Sequence, residues 1–348
     1  ILTKETSLYL DVIRFFAALV VFLGHASGKS FTGGLFWQFG LYLDAAVIVF
    51  FVLSGYVIGY VTKEKEHTLK AYSISRISRL SSIVFPALLL TIFCDIVGLS
   101  LNRDFYVNGP WGYHEGSQVI NYLLSSVLLQ NVWSMHLNPG INAPFWSLSY
   151  EVIYYALFAA LFFARGKTKI ISIIFLVLLA GPNIVVLFPI WLIGYYSFKV
   201  HDRYSVSVSK NWMILISLLF LLFFLFSPLV RASFEYKIQY VSRNLLADYF
   251  EAITFSVHIC FGLSLFKVLR PILFKFSKVI RNTASLTFAL YLFHRPLMQM
   301  LVLVSPSEPS SWLTRVIVLG GVIIVVVVLG GWCEKQKYTI KKFLVSKF

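Results

Sequence analysis

The sequence predicts an all-α, polytopic membrane protein of about ten spans, with both termini on the cytoplasmic side. Three observations carry this. Of 348 residues, 58% are hydrophobic and only 13% charged, and the mean hydropathy is +0.79, more apolar sequence than one soluble core absorbs. Apolar runs of about 20 residues, enough to cross a bilayer as a helix, recur along the chain. With the N-terminus inside, 22 of the 30 Lys and Arg residues fall on cytoplasmic segments and 6 on outer ones. The net charge of +15 therefore reads as basic loops facing an anionic lipid bilayer, and no nucleic-acid partner is expected.

In order, the first span (8–26) reads LYLDVIRFFAALVVFLGHA and carries Asp11, Arg14 and His25. Ionisable groups at membrane depth are costly and mark function by default. Asp11 and Arg14 are three apart and share a helix face, so they pair. His25, about 16 Å further along the helix, has no partner within it. The second span (36–61) contains Ser54, Gly55 and Gly59, a close-packing surface. A basic loop follows, and Arg76 and Arg79 share one face of the helical lead-in to the third span (80–101). Paired arginines suit phosphate, because each guanidinium offers fixed bidentate donors. An ordinary positive-inside flank explains the same spacing.

Residues 118–135 are moderately apolar, but counting them as a span would turn Arg165, Lys167 and Lys169 outward and flip every later basic loop. They are therefore expected to form an amphipathic or re-entrant helix in an outer insertion, 102–144. The fourth span (145–164) opens with PFWSLSYEVIYY, which sets Glu151 about 9 Å below the outer boundary. His25 and Glu151 thus have similar depth, and the sequence predicts a His–carboxylate pair holding the imidazole in one tautomer. A purely structural tie between two helices is the competing reading.

Short spans at 169–182 and 184–199 flank Gly181-Pro182-Asn183 and read as a hairpin. Spans at 212–230, 250–268, 284–304 and 312–333 complete the set. His294 and Arg295 lie near the middle of 284–304, where Pro296 frees backbone carbonyls. His294 either satisfies those carbonyls or lines a substrate path. Trp146, Ser147, Tyr150, Tyr291 and Arg295 are further path or support residues. The three cysteines form no metal spacing, and there is no Walker loop, zinc-type histidine spacing or G-x-S-x-G elbow, so no metal is expected. Residues 1–348 are expected to form one transmembrane domain.

Five blocks in order resemble the acyltransferase 3 family of integral membrane acyltransferases. They are Arg14 and His25 separated by ten residues, FFVLSGYVI, Arg76-x-x-Arg79-Leu80, WSLSYEVIYY and YLFH ending at His294. The match has departures: Val47-Ile48-Val49 stands where Gly-Val-Asp is common, and the proline that often follows the arginine pair is displaced to Pro86. The resemblance implies transfer of an acetyl group from cytoplasmic acetyl-CoA to a hydroxyl of an extracytoplasmic glycan or glycolipid. It implies a site in the bacterial cytoplasmic (inner) membrane. His25 would be the catalytic histidine assisted by Glu151, and Arg14, Arg76 and Arg79 would hold the donor. Direct attack by the acceptor and an acyl-histidine route both fit. The alternative function is a proton-coupled transporter or an exporter of a lipid-linked glycan or small solute, in which the same buried groups relay protons.

Overall fold

A computed structural model describes residues 3–204, 209–234, 241 and 243–347. Lys237, counted above on the outer side, lies outside them. The described chain is helical, without strands. Seven helices are long and apolar enough to cross a membrane, or up to nine if each of two bent pairs is one span. The expected fifth span is the 15-residue helix Gly166–Ala180, which falls below that length.

Several boundaries differ from expectation for local reasons. The second span does not begin at 36: Phe36 is left-handed (φ 65°), a short turn occupies Trp37–Gly40, and the long helix is Leu43–Glu64. The third begins earlier than 80, at Leu69, because no Gly or Pro interrupts the polar lead-in. At 33 residues this helix is about 50 Å long. Residues 212–230 form two helices, Lys210–Leu225 and Ser227–Ser233, bent by 44° where Ser227-Pro228 restarts the helix. The span expected at 250–268 is Leu245–Phe261 and ends at Gly262. Residues 118–135 hold no helix long enough to be a span: the helix there is Gln118–Ser126, nine residues, with Val119, Ile120 and Leu123 exposed.

The chain divides into two compact units. One comprises Ile1–Ala17, Tyr42–Thr68 and Gly181–Ala284. The other comprises Ala18–Leu41, Leu69–Ala180 and Ser285–Phe348. The hairpin expected around Gly181 falls on a boundary, since Gly166–Ala180 and Pro182–Tyr204 belong to different units.

In the first unit the Leu43–Glu64 helix packs on Pro182–Tyr204 and on Leu245–Phe261. The predicted small-residue surface is where the backbones meet. A Cβ on Gly55 would collide with the Trp191 carbonyl, and one on Gly194 with the Val52 carbonyl. Without a hydrophobic drive between lipid-solvated helices, such close approach supplies the packing energy. Gly55→Val is expected to destabilise the protein by about 1–3 kcal/mol, the usual cost of overpacking, read as a lower unfolding temperature in detergent. A wild-type temperature would reject this contact. Tyr9 of the first helix stacks on Phe266 at 3.9 Å and hydrogen-bonds His258 Nε2 at 2.7 Å.

The same unit holds an ionic network that the sequence reading did not find. Arg231 reaches buried Asp248 (2.7 Å) and Glu251 (2.8 Å), and Arg243 reaches Asp248 (2.8 Å) and Asp44 (3.2 Å). Asp248 and Glu251 are three apart on one helix face, the spacing that identifies such a pair.

In the second unit the Leu69–Leu101 helix packs against Thr287–Val304 and against Gly331–Lys347. Trp146–Phe163 packs on Gly166–Ala180, and Thr287–Val304 on Trp312–Val325.

Candidate functional site

The second unit contains two polar centres. The first is built on His25, near the end of the Lys4–Ala26 helix, and His294 in the Thr287–Val304 helix. His25 Nδ1 and His294 Nε2 are 2.9 Å apart, with the rings stacked at 17°. His294 Nδ1 lies 2.8 Å from the Leu290 carbonyl. A carbonyl only accepts, so His294 Nδ1 carries the proton and, in the neutral ring, Nε2 accepts. His25 must then donate from Nδ1, which leaves the lone pair of neutral His25 on Nε2. The chain of bonds fixes the tautomer of His25 as a backbone-anchored orienting group would.

This corrects the expected partner of His25, which is His294 and not Glu151. Similar depth placed His25 and Glu151 at one level, but depth carries no information on rotation about a helix axis. Glu151 shares a face with Tyr155, four residues on, and accepts a hydrogen bond from its hydroxyl.

Around the histidines the sequence-predicted residues come together in part. Tyr291, whose ring lies 6.4 Å from that of His294, bonds Ser147 Oγ through its hydroxyl at 2.9 Å. Trp146 packs edge-on against buried Tyr150 at 5.1 Å. Pro296 cannot donate to the Leu292 carbonyl, and Asn142 Nδ2 takes that place at 2.9 Å while also bonding Thr91 Oγ1 at 2.9 Å.

Trp111 is a member of this centre that the sequence reading missed. It stacks on Phe31 (4.1 Å), meets His25 edge-on (5.8 Å) and lies 4.5 Å beneath the Arg295 guanidinium. Gln299 Nε2 donates to the Trp111 carbonyl at 3.2 Å. The available signal was Gly109-Pro110-Trp111-Gly112, a turn sequence fixing one large ring in an otherwise aperiodic stretch.

Asp95 was also missed, although it is an acid inside an apolar span, the criterion that selected His25. Its carboxylate accepts from Tyr106 (2.9 Å) and Tyr122 (3.3 Å). Burial, together with the Asp95 charge, pushes both tyrosine hydroxyls up, so they stay protonated donors. Gln130 Nε2 bonds the Phe145 carbonyl (2.6 Å), and the Asn131 amide bonds Ser149 Oγ (3.2 Å). The 102–144 insertion is thereby tied to the helices that carry the site.

The second centre gathers Arg76, Arg79, Tyr72, Tyr155 and Glu151. The Arg76 guanidinium lies 5.4 Å from the Tyr72 ring and 5.6 Å from the Tyr155 ring. Tyr72 donates to the Tyr155 carbonyl at 3.2 Å. Arg79 lies 6.0 Å from the Phe288 ring, and Glu151 and Glu334 are the carboxylates acting on its charge. Phe288 precedes His294 by six residues, about 9 Å of helix, so one helix connects the two centres.

Arg14 and Asp11 lie in the first unit and pair at 3.2 Å as predicted, and Asp11 also bonds Arg281. No group of three or more His, Cys, Asp or Glu residues is placed to hold a metal ion among the described residues.

The family model described as an acyltransferase domain, Acyl_transf_3, matches residues 7–331, nearly the whole chain. No curated protein and no solved structure matches it.

Proposed function

Because the chain belongs to the acyltransferase 3 family of membrane acyltransferases, we propose that it moves an acetyl group from cytoplasmic acetyl-CoA to a hydroxyl of an extracytoplasmic glycan or glycolipid. On this reading it resides in the bacterial inner membrane with both termini cytoplasmic. The observation that carries the proposal is the fixed tautomer of His25, which presents the Nε2 lone pair.

His25 Nε2 takes the proton of the acceptor hydroxyl as its oxygen attacks the thioester carbonyl. The CoA thiolate leaves and is protonated from His25. His294 orients the base, the role the family resemblance would give to Glu151. Arg76 and Arg79 hold the donor phosphates, and Glu151, through Tyr155 and the charge of Arg79, sets the arginine centre. Arg14 is assigned to the donor by resemblance alone. Trp146, Ser147, Tyr150 and Tyr291 support the histidine centre.

The test uses inside-out membrane vesicles containing the protein, supplied with acetyl-CoA labelled in the acetyl group. Label should accumulate in glycan or lipid-linked material and be released by mild base, as an O-ester is. Vesicles that transfer no acyl group from CoA, yet move protons in response to a glycan, would replace this function with transport.

A further inference from the structure

Arg295 has an environment that the two centres do not explain. It is half-buried, and its Nε is shut off from solvent without an acceptor. Among the described residues it makes no hydrogen bond or ion pair, and its guanidinium rests on the face of Trp111 at 4.5 Å. A cation stack leaves all the in-plane N–H donors unused. Leaving such a group partly desolvated and unpaired is costly, so a chain keeps it there for an anion that arrives. Trp111 is itself fixed from the same helix face, because Gln299, four residues after Arg295, bonds its carbonyl. The same indole meets His25 edge-on at 5.8 Å. One aromatic ring thus holds a donor-rich cation and the proposed base side by side.

We infer that Arg295 binds the oxyanion that forms on the thioester carbonyl during transfer, an inference resting on the acyltransferase reading above. The acceptor oxygen bonds to the carbonyl carbon and its proton passes to His25 Nε2. The carbonyl π pair moves onto oxygen, where the guanidinium N–H groups receive it. Collapse restores the C=O bond, breaks the C–S bond and releases CoA as thiolate, which takes the proton back from His25. A preorganised donor aimed at developing charge, in a site shielded from water, acts only in the transition state.

The experiment measures acetyl transfer in vesicles from labelled acetyl-CoA, and hydrolysis of acetyl-CoA by the purified protein. Arg295→Gln should lower kcat about 10²–10³-fold, the effect of removing one oxyanion donor. The KM for acetyl-CoA and the thermal stabilisation by CoA should stay at wild-type values. Arg295→Ala should recover part of its rate with added guanidinium ion, which a packing defect would not do. Transfer by Arg295→Gln at the wild-type rate overturns the assignment. So does a loss confined to acceptor KM with hydrolysis unchanged, which would give Arg295 to an anionic group on the acceptor. Loss of the CoA-induced stabilisation would also overturn it, by giving Arg295 to ground-state binding of the donor. Absence of transfer by the wild-type protein would instead remove the acyltransferase reading itself.

Discussion

His25→Ala is expected to reduce acetyl transfer to background while leaving the amount of protein in the membrane and its stabilisation by CoA unchanged. The base contributes about 10²–10⁴ in rate, and in this site no second imidazole can replace it. The other ring of the pair, His294, has its Nδ1 committed to the Leu290 carbonyl and its Nε2 to His25. His294→Ala leaves the base in place but removes the bond that fixes its tautomer, so its loss should be smaller and fall on kcat more than on the KM for acetyl-CoA. Labelled transfer in inside-out vesicles measures both. Full transfer by His25→Ala would exclude the residue from the chemistry. A His294→Ala protein as active as wild type would make the pair a structural tie.

The double variant Arg76→Ala/Arg79→Ala is expected to lose the rise in unfolding temperature that CoA gives the wild type. A ligand at a hundred times its Kd stabilises a protein by about 2.7 kcal/mol. Hydrogen bonds to charged groups contribute about 1.5–3 kcal/mol each, so removing two arginine contacts to phosphate weakens binding enough to abolish the shift. The apo protein should also unfold somewhat earlier, because Glu151 and Glu334 then lose the charge they face. The ligand-induced shift and the apo temperature are separate readings, so a stability defect alone cannot mimic loss of the donor site. An undiminished CoA shift in the double variant would return the two arginines to an ordinary basic flank.

Much of this was legible because charge inside apolar sequence is conspicuous. His25, Glu151, Arg76, Arg79 and His294 all stand out as ionisable groups in or beside spans, and they form the two centres of one unit. Charge counting also kept residues 118–135 from being read as a span, and the nine-residue helix there agrees. What failed was azimuth. Rise per residue gives depth, but which side of a helix faces which neighbour depends on packing across the whole unit. Glu151 therefore turns to Tyr155, and His294 takes its place beside His25. Trp111 escaped because the insertion has no periodic pattern to weigh it against. The start of the third helix at Leu69 escaped because an apolar window cannot see a polar helical turn.

The tether at Asp95 has a consequence for how such a protein changes over generations. Tyr106 and Tyr122 fix the insertion on either side of the exposed stretch 114–117, and Trp111 is held separately by Gln299. Sequence drift or length change confined to 114–117 leaves these anchors, and with them the histidine pair, in place. The histidine pair and the exposed stretch 114–117 are thus free to change at different speeds, with one buried carboxylate as the seam between them.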